Sequence, residues 1–232
     1  MTISWNSLRV HYGQICALNE VSGKSRVGLT LILGSNGSGK TTLLKTLAGY
    51  IEVKMGEVLI DGHSVTRLGP QKRFLRGVRY TSQNSIAVPD ITPEAYLAMM
   101  GDRGALDTMW PLVRKEVRED WNNTRFIHSL PVATRRIVDL AIVFSSRPSI
   151  ALLDEPIADL GVRGMADAIR LIKHFWDKCH LVIVEHRPDF IRWAMESDAY
   201  SYFLHNGQVA MGGDLRELVS NELVQNIYGK IN

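Results

Sequence analysis

Residues 34–41 read Gly34-Ser35-Asn36-Gly37-Ser38-Gly39-Lys40-Thr41, an unbroken G-x-x-x-x-G-K-(S/T) motif. An apolar run precedes this octapeptide at 27–33, and a helix-compatible stretch follows at 41–48. Between a strand and a helix, the glycines allow backbone N–H groups to surround phosphate oxygens, and the helix N-terminus adds partial positive charge. Lys40 offers a cation to the β- and γ-phosphates, and the Thr41 hydroxyl offers a ligand to Mg²⁺. We therefore predict a nucleoside triphosphate site formed by residues 34–41 and Thr42.

The composition describes an ordinary globular chain of moderate size. Its 232 residues suit one domain, and the hydrophobic and charged fractions, 45% and 22%, are typical of such proteins. The formal charge of only +3 argues against an extended nucleic-acid surface, so no direct nucleic-acid partner is expected. The basic pair Arg135-Arg136 and the basic stretch 71–73 are expected on solvated faces or in local ion pairs.

Cysteine usage and hydropathy indicate where the chain works. Cys16 and Cys179 lie too far apart for a metal-ligand spacing, so buried or half-buried free thiols in a reducing compartment are expected. No stretch reaches the roughly 18 apolar residues that a membrane-spanning helix needs, and the N-terminus lacks a signal-peptide pattern. A cytoplasmic location is predicted, in which any attachment to the cytoplasmic face of a membrane depends on partner subunits.

The order of apolar runs and turn signals predicts an α/β fold. Two short apolar runs at 149–153 and 180–184, separated by a helical pattern, suit buried parallel strands. The section 85–147 mixes charged and apolar positions at helical spacing, which indicates a helical insertion. We predict a single domain, 1–232, with a nucleotide-binding core at 1–84 and 148–232 and a helical subdomain at 85–147.

Two acids, Asp154 and Glu155, directly follow the apolar run at 150–153. Because α/β sheets place their ligands at the carboxyl ends of parallel strands, both carboxylates are predicted to lie in the nucleotide site. Asp154 is expected to hold Mg²⁺ through water, and Glu155 to orient and deprotonate the attacking water.

The chain resembles the ATP-binding-cassette (ABC) ATPases in the order of its motifs. The phosphate loop, Gln83 in Tyr80-Thr-Ser-Gln83, Asp154-Glu155-Pro156 and His186 in Val182-Ile-Val-Glu-His186 follow one another as in that family. The resemblance implies a P-loop NTPase (RecA-like) core with an antiparallel β subdomain and a helical insertion. It also implies hydrolysis of ATP to ADP and phosphate with Mg²⁺.

The same resemblance implies roles for three residues outside the phosphate loop. Tyr12 matches the aromatic residue that stacks on adenine, although a tyrosine on a strand also serves as a packing residue. Gln83 matches the glutamine that touches Mg²⁺ or the lytic water, with a solvated loop residue as the alternative. His186 matches the histidine that contacts the γ-phosphate, with a structural histidine as the alternative. The predicted catalytic residues are thus Glu155, His186 and Gln83, and the predicted metal ligands are Thr41, Gln83 and Asp154.

The chain departs from the family at the segment that serves the opposite subunit of an ATPase dimer. Where the family usually has Leu-Ser-Gly-Gly-Gln, this chain has Leu130-Pro131-Val132-Ala133-Thr134, and Gly161 replaces an aspartate after the acid pair. Pro131 lacks an N–H, and the two residues after it carry Cβ atoms where a close backbone approach is needed. We expect a complete catalytic half-site that offers a poor clamp to its partner, and hence a non-identical ATPase partner with an intact signature.

The resemblance implies an ATP-binding subunit that drives a membrane transporter through transmembrane partner subunits. Apolar residues at Ile91, Tyr96, Met99 and Met100 could line a docking groove for such a subunit, or could pack within the helical insertion. A soluble ABC-type ATPase acting as a scaffold or regulator is an alternative. A nucleotide-binding module with negligible turnover is another, which the altered signature favours and Glu155 opposes.

Overall fold

A computed structural model of the chain describes residues 1–82, 90–100 and 126–229. Gln83, part of the predicted helical subdomain and the last three residues lie outside this described part. The division of the chain at 85 and 147 therefore stays a prediction, although helices occur on both sides of the gap at 101–125.

The described strands form two β-sheets. In chain order they are β1 (Ile3–Tyr12), β2 (Ile15–Lys24), β3 (Gly28–Gly34), β4 (Met55–Ile60), β5 (His63–Ser64), β6 (Val78–Thr81), β7 (Ile150–Asp154), β8 (His180–Val184), β9 (Tyr200–His205) and β10 (Gln208–Asp214). One sheet is antiparallel, in the order β2-β1-β4-β5. The other has the order β10-β9-β3-β8-β7-β6 and is parallel except for the β9–β10 hairpin. The predicted α/β fold with a mostly parallel core is confirmed.

Helices pack on both faces of the parallel sheet. They are α1 (Lys40–Ala48), α2 (Pro70–Phe74), α3 (Pro93–Met100), α4 (Val132–Ser145), α5 (Val162–Phe175), α6 (Pro188–Met195), α7 (Leu215–Val219) and α8 (Glu222–Tyr228), with a 3₁₀ turn at Ile127–Ser129. No helix in the described ranges is long and apolar enough to cross a membrane.

Strand β3 explains how the sequence builds two cores around one sheet. All seven of its residues are buried, the pattern of a central parallel strand covered on both faces. Leu31 and Leu33 pack into a cluster with α4, α5 and α6. Ile32, which points to the opposite face, packs with α1 and the antiparallel sheet. The strand thereby fixes its carboxyl end, Gly34, between the two layers.

Three sequence-based expectations about side-chain exposure are wrong. Arg73 and Arg136, expected on solvated faces, are 1% and 6% exposed because their guanidinium groups donate to backbone carbonyls. Cys16, expected to be at least half-buried, is exposed, whereas Cys179 is buried as predicted. A long guanidinium side chain can be buried when carbonyl acceptors surround it, and a sequence pattern does not reveal such acceptors.

Candidate nucleotide site

The phosphate loop joins the end of β3 to the start of α1. Gly34 has φ +145°, and a Cβ there would lie 2.2 Å from the carbonyl oxygen of Leu204 on the neighbouring strand β9. Gly39, with φ +102°, would place a Cβ 2.7 Å from the carbonyl oxygen of Ala17. Both positions therefore require glycine, and the loop is packed closely against both sheets.

Lys40 lies at the N-terminus of α1 and is only 6% exposed. Its ammonium group donates to the carbonyl oxygens of Gly34 and Ser35, each at 2.8 Å. Burial lowers the pKa of Lys40, while the nearby carboxylates of Glu155 and Asp154 act in the opposite direction. A buried cation held on two loop carbonyls is suited to a ligand with negative charge.

Asp154 ends strand β7 and is fully buried. Its carboxylate accepts hydrogen bonds from the Thr41 hydroxyl at 3.2 Å and from the Tyr80 hydroxyl at 3.3 Å. Burial raises the pKa of Asp154, and these two hydrogen bonds partly counter that effect. The sequence did not predict a role for Tyr80, although its position at the end of β6, beside β7, brings it there.

The oxygen atoms of Thr41 and Asp154 fit a magnesium site. Within the described ranges, no group of three or more His, Cys, Asp or Glu side chains could hold a metal ion by itself. Mg²⁺ in nucleotide sites is usually bound by one or two carboxylates together with substrate phosphates, so a single buried carboxylate beside a threonine hydroxyl is suitable.

Glu155 and His186 lie at the ends of two neighbouring parallel strands. The Oε1 atom of Glu155 is 3.4 Å from Nδ1 of His186, and the Glu155 amide donates to Val184 at 2.9 Å. Glu155 has φ +49°, a left-handed conformation that costs a non-glycine residue about 1–2 kcal/mol. Its side chain is 12% exposed and that of His186 is 49% exposed. The fold thus holds a strained, mostly buried carboxylate beside an accessible imidazole.

The loops that follow β7 and β8 are joined by two residues that the sequence did not single out. Glu185 is fully buried and accepts from the amides of His186, Arg187 and Ile157. The guanidinium of Arg187 donates to the carbonyl oxygens of Ile157 and Leu160. These bonds tie the backbone of His186 to the segment after Glu155. In sequence, Glu185 and Arg187 show only as two charged residues around a histidine.

A cavity of about 700 Å³ brings most of the predicted nucleotide contacts together. Its lining includes Tyr12, whose side chain is about half exposed, and the loop residues Asn36, Gly37, Gly39, Lys40, Thr41 and Thr42, together with Glu155. Ile15, Cys16 and Asn206 also line it, although the sequence did not predict them. Ile15 and Cys16 could have been predicted from their place just after Tyr12 in the sequence, because the β1–β2 hairpin pairs Tyr12 with Ile15. Asn206 belongs to an Asn-Gly turn at the carboxyl end of β9, beside β3.

The altered signature segment lies outside the lining of this cavity. Leu130 is buried, and α4 begins at Val132 with Pro131 as its N-cap and no side-chain hydrogen bond at the cap. Val132 is 46% exposed. Gly161 is exposed at the start of α5, where an added Cβ would meet open space. A role of this segment toward a second subunit stays a prediction.

The family model for the ABC transporter matches residues 18–158, more than half of the chain. The chain belongs to the ABC transporter family. Its matched part contains the phosphate loop and Asp154-Glu155, so the family assignment and the site coincide. The sequence-based recognition of an ABC ATP-binding domain is confirmed.

Known relatives of this ABC ATP-binding domain extend along most of its length. A probable ABC transporter ATP-binding protein of Azorhizobium caulinodans is 27% identical over 94% of this chain and 79% of the relative. A probable branched-chain amino acid transport ATP-binding protein of Archaeoglobus fulgidus is 30% identical over 84% of each chain. The dimeric structure of a bacterial ABC transporter cassette superposes with a TM-score of 0.79 at 20% identity, covering 92% of this chain and 99% of the other. That likeness confirms the predicted P-loop NTPase fold.

Proposed function

We propose that the chain hydrolyses ATP to ADP and phosphate and drives a membrane transporter as its ATP-binding subunit. The observation that carries this proposal is that one cavity is lined by Tyr12, Lys40, Thr41 and Glu155. Asp154 is joined to this cavity by its hydrogen bond with the Thr41 hydroxyl. Membership of the ABC transporter family supports the transport role. The chain works at the cytoplasmic face of a membrane, held there by its partners.

Each of these residues has a physical role in binding. Tyr12 offers its exposed ring to adenine, a contact worth about 1–3 kcal/mol in base–aromatic stacks. Lys40 and the amides of residues 36–42 bind the phosphates. Thr41 and Asp154 would hold Mg²⁺, which would supply charge neutralisation at the phosphate oxygens. Gln83 stays a predicted ligand and sensor outside the described residues.

Glu155 is the proposed general base. Glu155 lines the cavity, and its Oε1 lies 3.4 Å from Nδ1 of His186. The two side chains are therefore close enough to contact the same water molecule beside the γ-phosphate. The hydrogen bonds of Glu185 fix the backbone on which His186 is carried. Glu155 accepts the proton of the attacking water, and His186 orients the phosphate oxygen.

Two ATP-binding chains act together in this proposal. The groups that serve the chain's own nucleotide are present, whereas Pro131 removes an N–H at the start of α4, where a clamp on the opposite nucleotide would require one. A homodimer would therefore carry two weakened clamps. A non-identical partner with an intact signature would complete one competent site.

An apolar groove supports a transmembrane partner. It has a volume of about 460 Å³ and is lined by aromatic and aliphatic residues of α2, β6, α3 and α4, including Phe74, Leu75 and Tyr96. Leu75 is 83% exposed and Met99, on the same helix as Tyr96, is 74% exposed. Ile91 and Tyr96 also pack against the core, and the side chain of Met100 lies outside the described atoms. A short amphipathic helix of a transmembrane subunit fits this groove.

A nucleotide-binding module with negligible turnover is the second candidate, because the proline at the start of α4 weakens the clamp. The two candidates differ in the measured rate of phosphate release. We would purify the chain from solubilised membranes with its bound partners and assay ATP hydrolysis by that complex.

In this complex, Glu155→Gln is expected to retain ATP binding and to lower turnover by at least about 100-fold, because the base is lost while the shape remains. Glu217→Gln, at an exposed glutamate of α7, is the matched control and should hydrolyse ATP like the unchanged chain. Unchanged turnover with Gln at 155 would refute the base assignment. A complex without measurable turnover would favour the second candidate.

A further inference from the structure

The hydroxyl of Tyr228 forms two hydrogen bonds with the backbone of a single residue of the phosphate loop. Its oxygen accepts from the Gly34 amide at 2.8 Å and donates to the Gly34 carbonyl at 2.9 Å, across 194 residues of sequence. Tyr228 ends helix α8. A helix far from the motif in sequence thereby contacts the first residue of the loop.

Helix α8 is held in a defined position, so this contact is not a chance approach. Val224 is fully buried in the same core cluster as Leu33, and Tyr228 itself packs against that cluster. The side chain of Asn221 caps the helix by accepting from the Leu223 amide at 2.9 Å. Burial raises the pKa of Tyr228 to about 12, so its hydroxyl keeps the proton that it donates.

The Gly34 carbonyl has a second donor, the ammonium group of Lys40, at 2.8 Å. Lys40 has three N–H donors, and two of them are directed to Gly34 and Ser35. In the proposed ATP complex the phosphates compete with the Gly34 and Ser35 carbonyls for this ammonium group, which weakens the bond from Lys40 to Gly34. A buried carbonyl left without a donor is costly, so the remaining bond from Tyr228 acquires more weight when a nucleotide is bound.

We propose that Tyr228 is a positioning residue of the ATP site, whose hydroxyl keeps the backbone N–H and carbonyl of Gly34 paired while Lys40 engages the phosphates. The inference rests on the proposed function, since it assumes that the loop binds ATP. Tyr228 acts through Gly34 and Lys40 and does not touch the nucleotide.

The test compares two tyrosine-to-phenylalanine changes that remove the same kind of contact. Tyr202 also bonds both backbone groups of one residue, accepting from the Lys24 amide at 2.9 Å and donating to the Lys24 carbonyl at 3.2 Å. Neither Tyr202 nor Lys24 lines the nucleotide cavity. Tyr202→Phe is therefore a matched control for Tyr228→Phe. The Kd for Mg-ATP is measured by calorimetry on the full chain, and stability by thermal unfolding without nucleotide.

We expect Tyr228→Phe to raise the Kd for ATP about tenfold, because the Gly34 carbonyl loses the Tyr228 donor in the state in which the phosphates compete for Lys40. Tyr202→Phe should leave the Kd unchanged, because Lys24 keeps the same surroundings in both states. Both variants should lower the unfolding midpoint, which verifies that each hydroxyl contributes to the fold.

Three results would overturn the inference, and they are distinguishable. If the unchanged chain does not bind ATP, the proposed function fails and this inference fails with it. If the unchanged chain binds ATP and Tyr228→Phe binds it equally tightly, only the positioning role is refuted. If both phenylalanine variants weaken binding to the same degree, the effect is general loosening of the fold and not a property of the Gly34 contact.

Discussion

Replacing Arg73 with methionine tests whether one buried side chain holds the far end of the helix that follows the phosphate loop. Nη1 of Arg73 donates to the carbonyl oxygens of Thr46 and Leu47, in the last turn of α1, at 2.7 and 2.8 Å. Nε donates to Leu68 at 2.9 Å and Nη2 to Thr66 at 3.1 Å. The side chain thus caps a helix C-terminus, where positive charge is favourable, and joins it to the segment before α2.

The magnitude follows from the surroundings of these acceptors. The carbonyls of Thr46 and Leu47 are bonded in buried surroundings, while those of Thr66 and Leu68 are bonded in partly buried ones that water can reach more easily. Without Arg73, the unpaired Leu47 carbonyl costs about 1–3 kcal/mol. The Thr46 carbonyl keeps a hydrogen bond from the Gly49 amide at 3.1 Å but loses a charged donor, which contributes roughly 1.5–3 kcal/mol. Part of this is offset because methionine removes a buried charge, whose pKa burial lowers to about 10. We expect a net loss of about 3 kcal/mol.

Thermal and urea unfolding would measure this loss, with Arg76→Met as the matched control because Arg76 is exposed three positions along the chain. For a chain of this size, a loss of about 3 kcal/mol lowers the unfolding midpoint by about 6–12 °C, while an exposed substitution changes stability by less than about 0.5 kcal/mol. The unfolding midpoint of Arg73→Lys should lie between those of Arg73→Met and Arg76→Met, since a lysine reaches fewer of the carbonyls. Equal midpoints for Arg73→Met and Arg76→Met would show that the four hydrogen bonds contribute nothing net.

Three further predictions concern the nucleotide site and the altered signature segment. Tyr12→Ala should weaken ATP binding by about 1–3 kcal/mol and Tyr12→Phe should be nearly neutral by calorimetry, since stacking needs the ring and not the hydroxyl; equal affinity for both variants would leave Tyr12 as a packing residue. A thiol reagent at pH 8 should modify Cys16 rapidly and Cys179 very slowly, because Cys16 is exposed in the cavity wall whereas burial raises the pKa of Cys179 to about 12. Bound ATP should slow the modification of Cys16. Mass spectrometry of the labelled peptides measures both rates, and faster labelling of Cys179 than of Cys16 would contradict the prediction. Glycines in place of Val132 and Ala133 should increase ATP turnover by the chain in the absence of its partner. Full turnover by the unsubstituted chain under the same conditions would contradict a damaged clamp.

Much of the phosphate site was predictable because its chemistry is local. Gly34 and Gly39 carry positive φ angles inside one octapeptide, and Lys40 reaches carbonyls only five and six residues away. Asp154 and Glu155 were predictable for a related reason, since parallel strands bring their carboxyl ends to one edge of a sheet. The pairing of Gly34 with β9 and of Asp154 with β8 fulfils that geometry.

The contacts that the sequence did not reveal are those between a side chain and a distant backbone. Arg73 looks like one of three polar residues on a surface helix, because nothing near it in sequence shows the carbonyls of Thr46 and Leu47 that surround it. Glu185 is similar, since its partners include the Ile157 amide, 28 residues away. Hydrophobic periodicity reports which residues are apolar, and it carries no signal for a polar side chain that is buried by its hydrogen bonds.

Tyr228 and Arg73 act on opposite ends of the same structural unit. Tyr228 bonds both backbone groups of Gly34, the residue at which β3 becomes the phosphate loop, and Arg73 bonds the carbonyls at which α1 ends. Because the Arg73 contacts are independent of the direction that Lys40 takes, their loss should lower stability equally with and without ATP. The Tyr228 contact shares the Gly34 carbonyl with Lys40, so its loss should appear mainly in ATP affinity. The opposite result would be a loss of ATP affinity in Arg73→Met and a loss of stability alone in Tyr228→Phe. It would mean that the loop and its helix respond to ATP as one rigid body, without the change in Lys40 partners on which the positioning role depends.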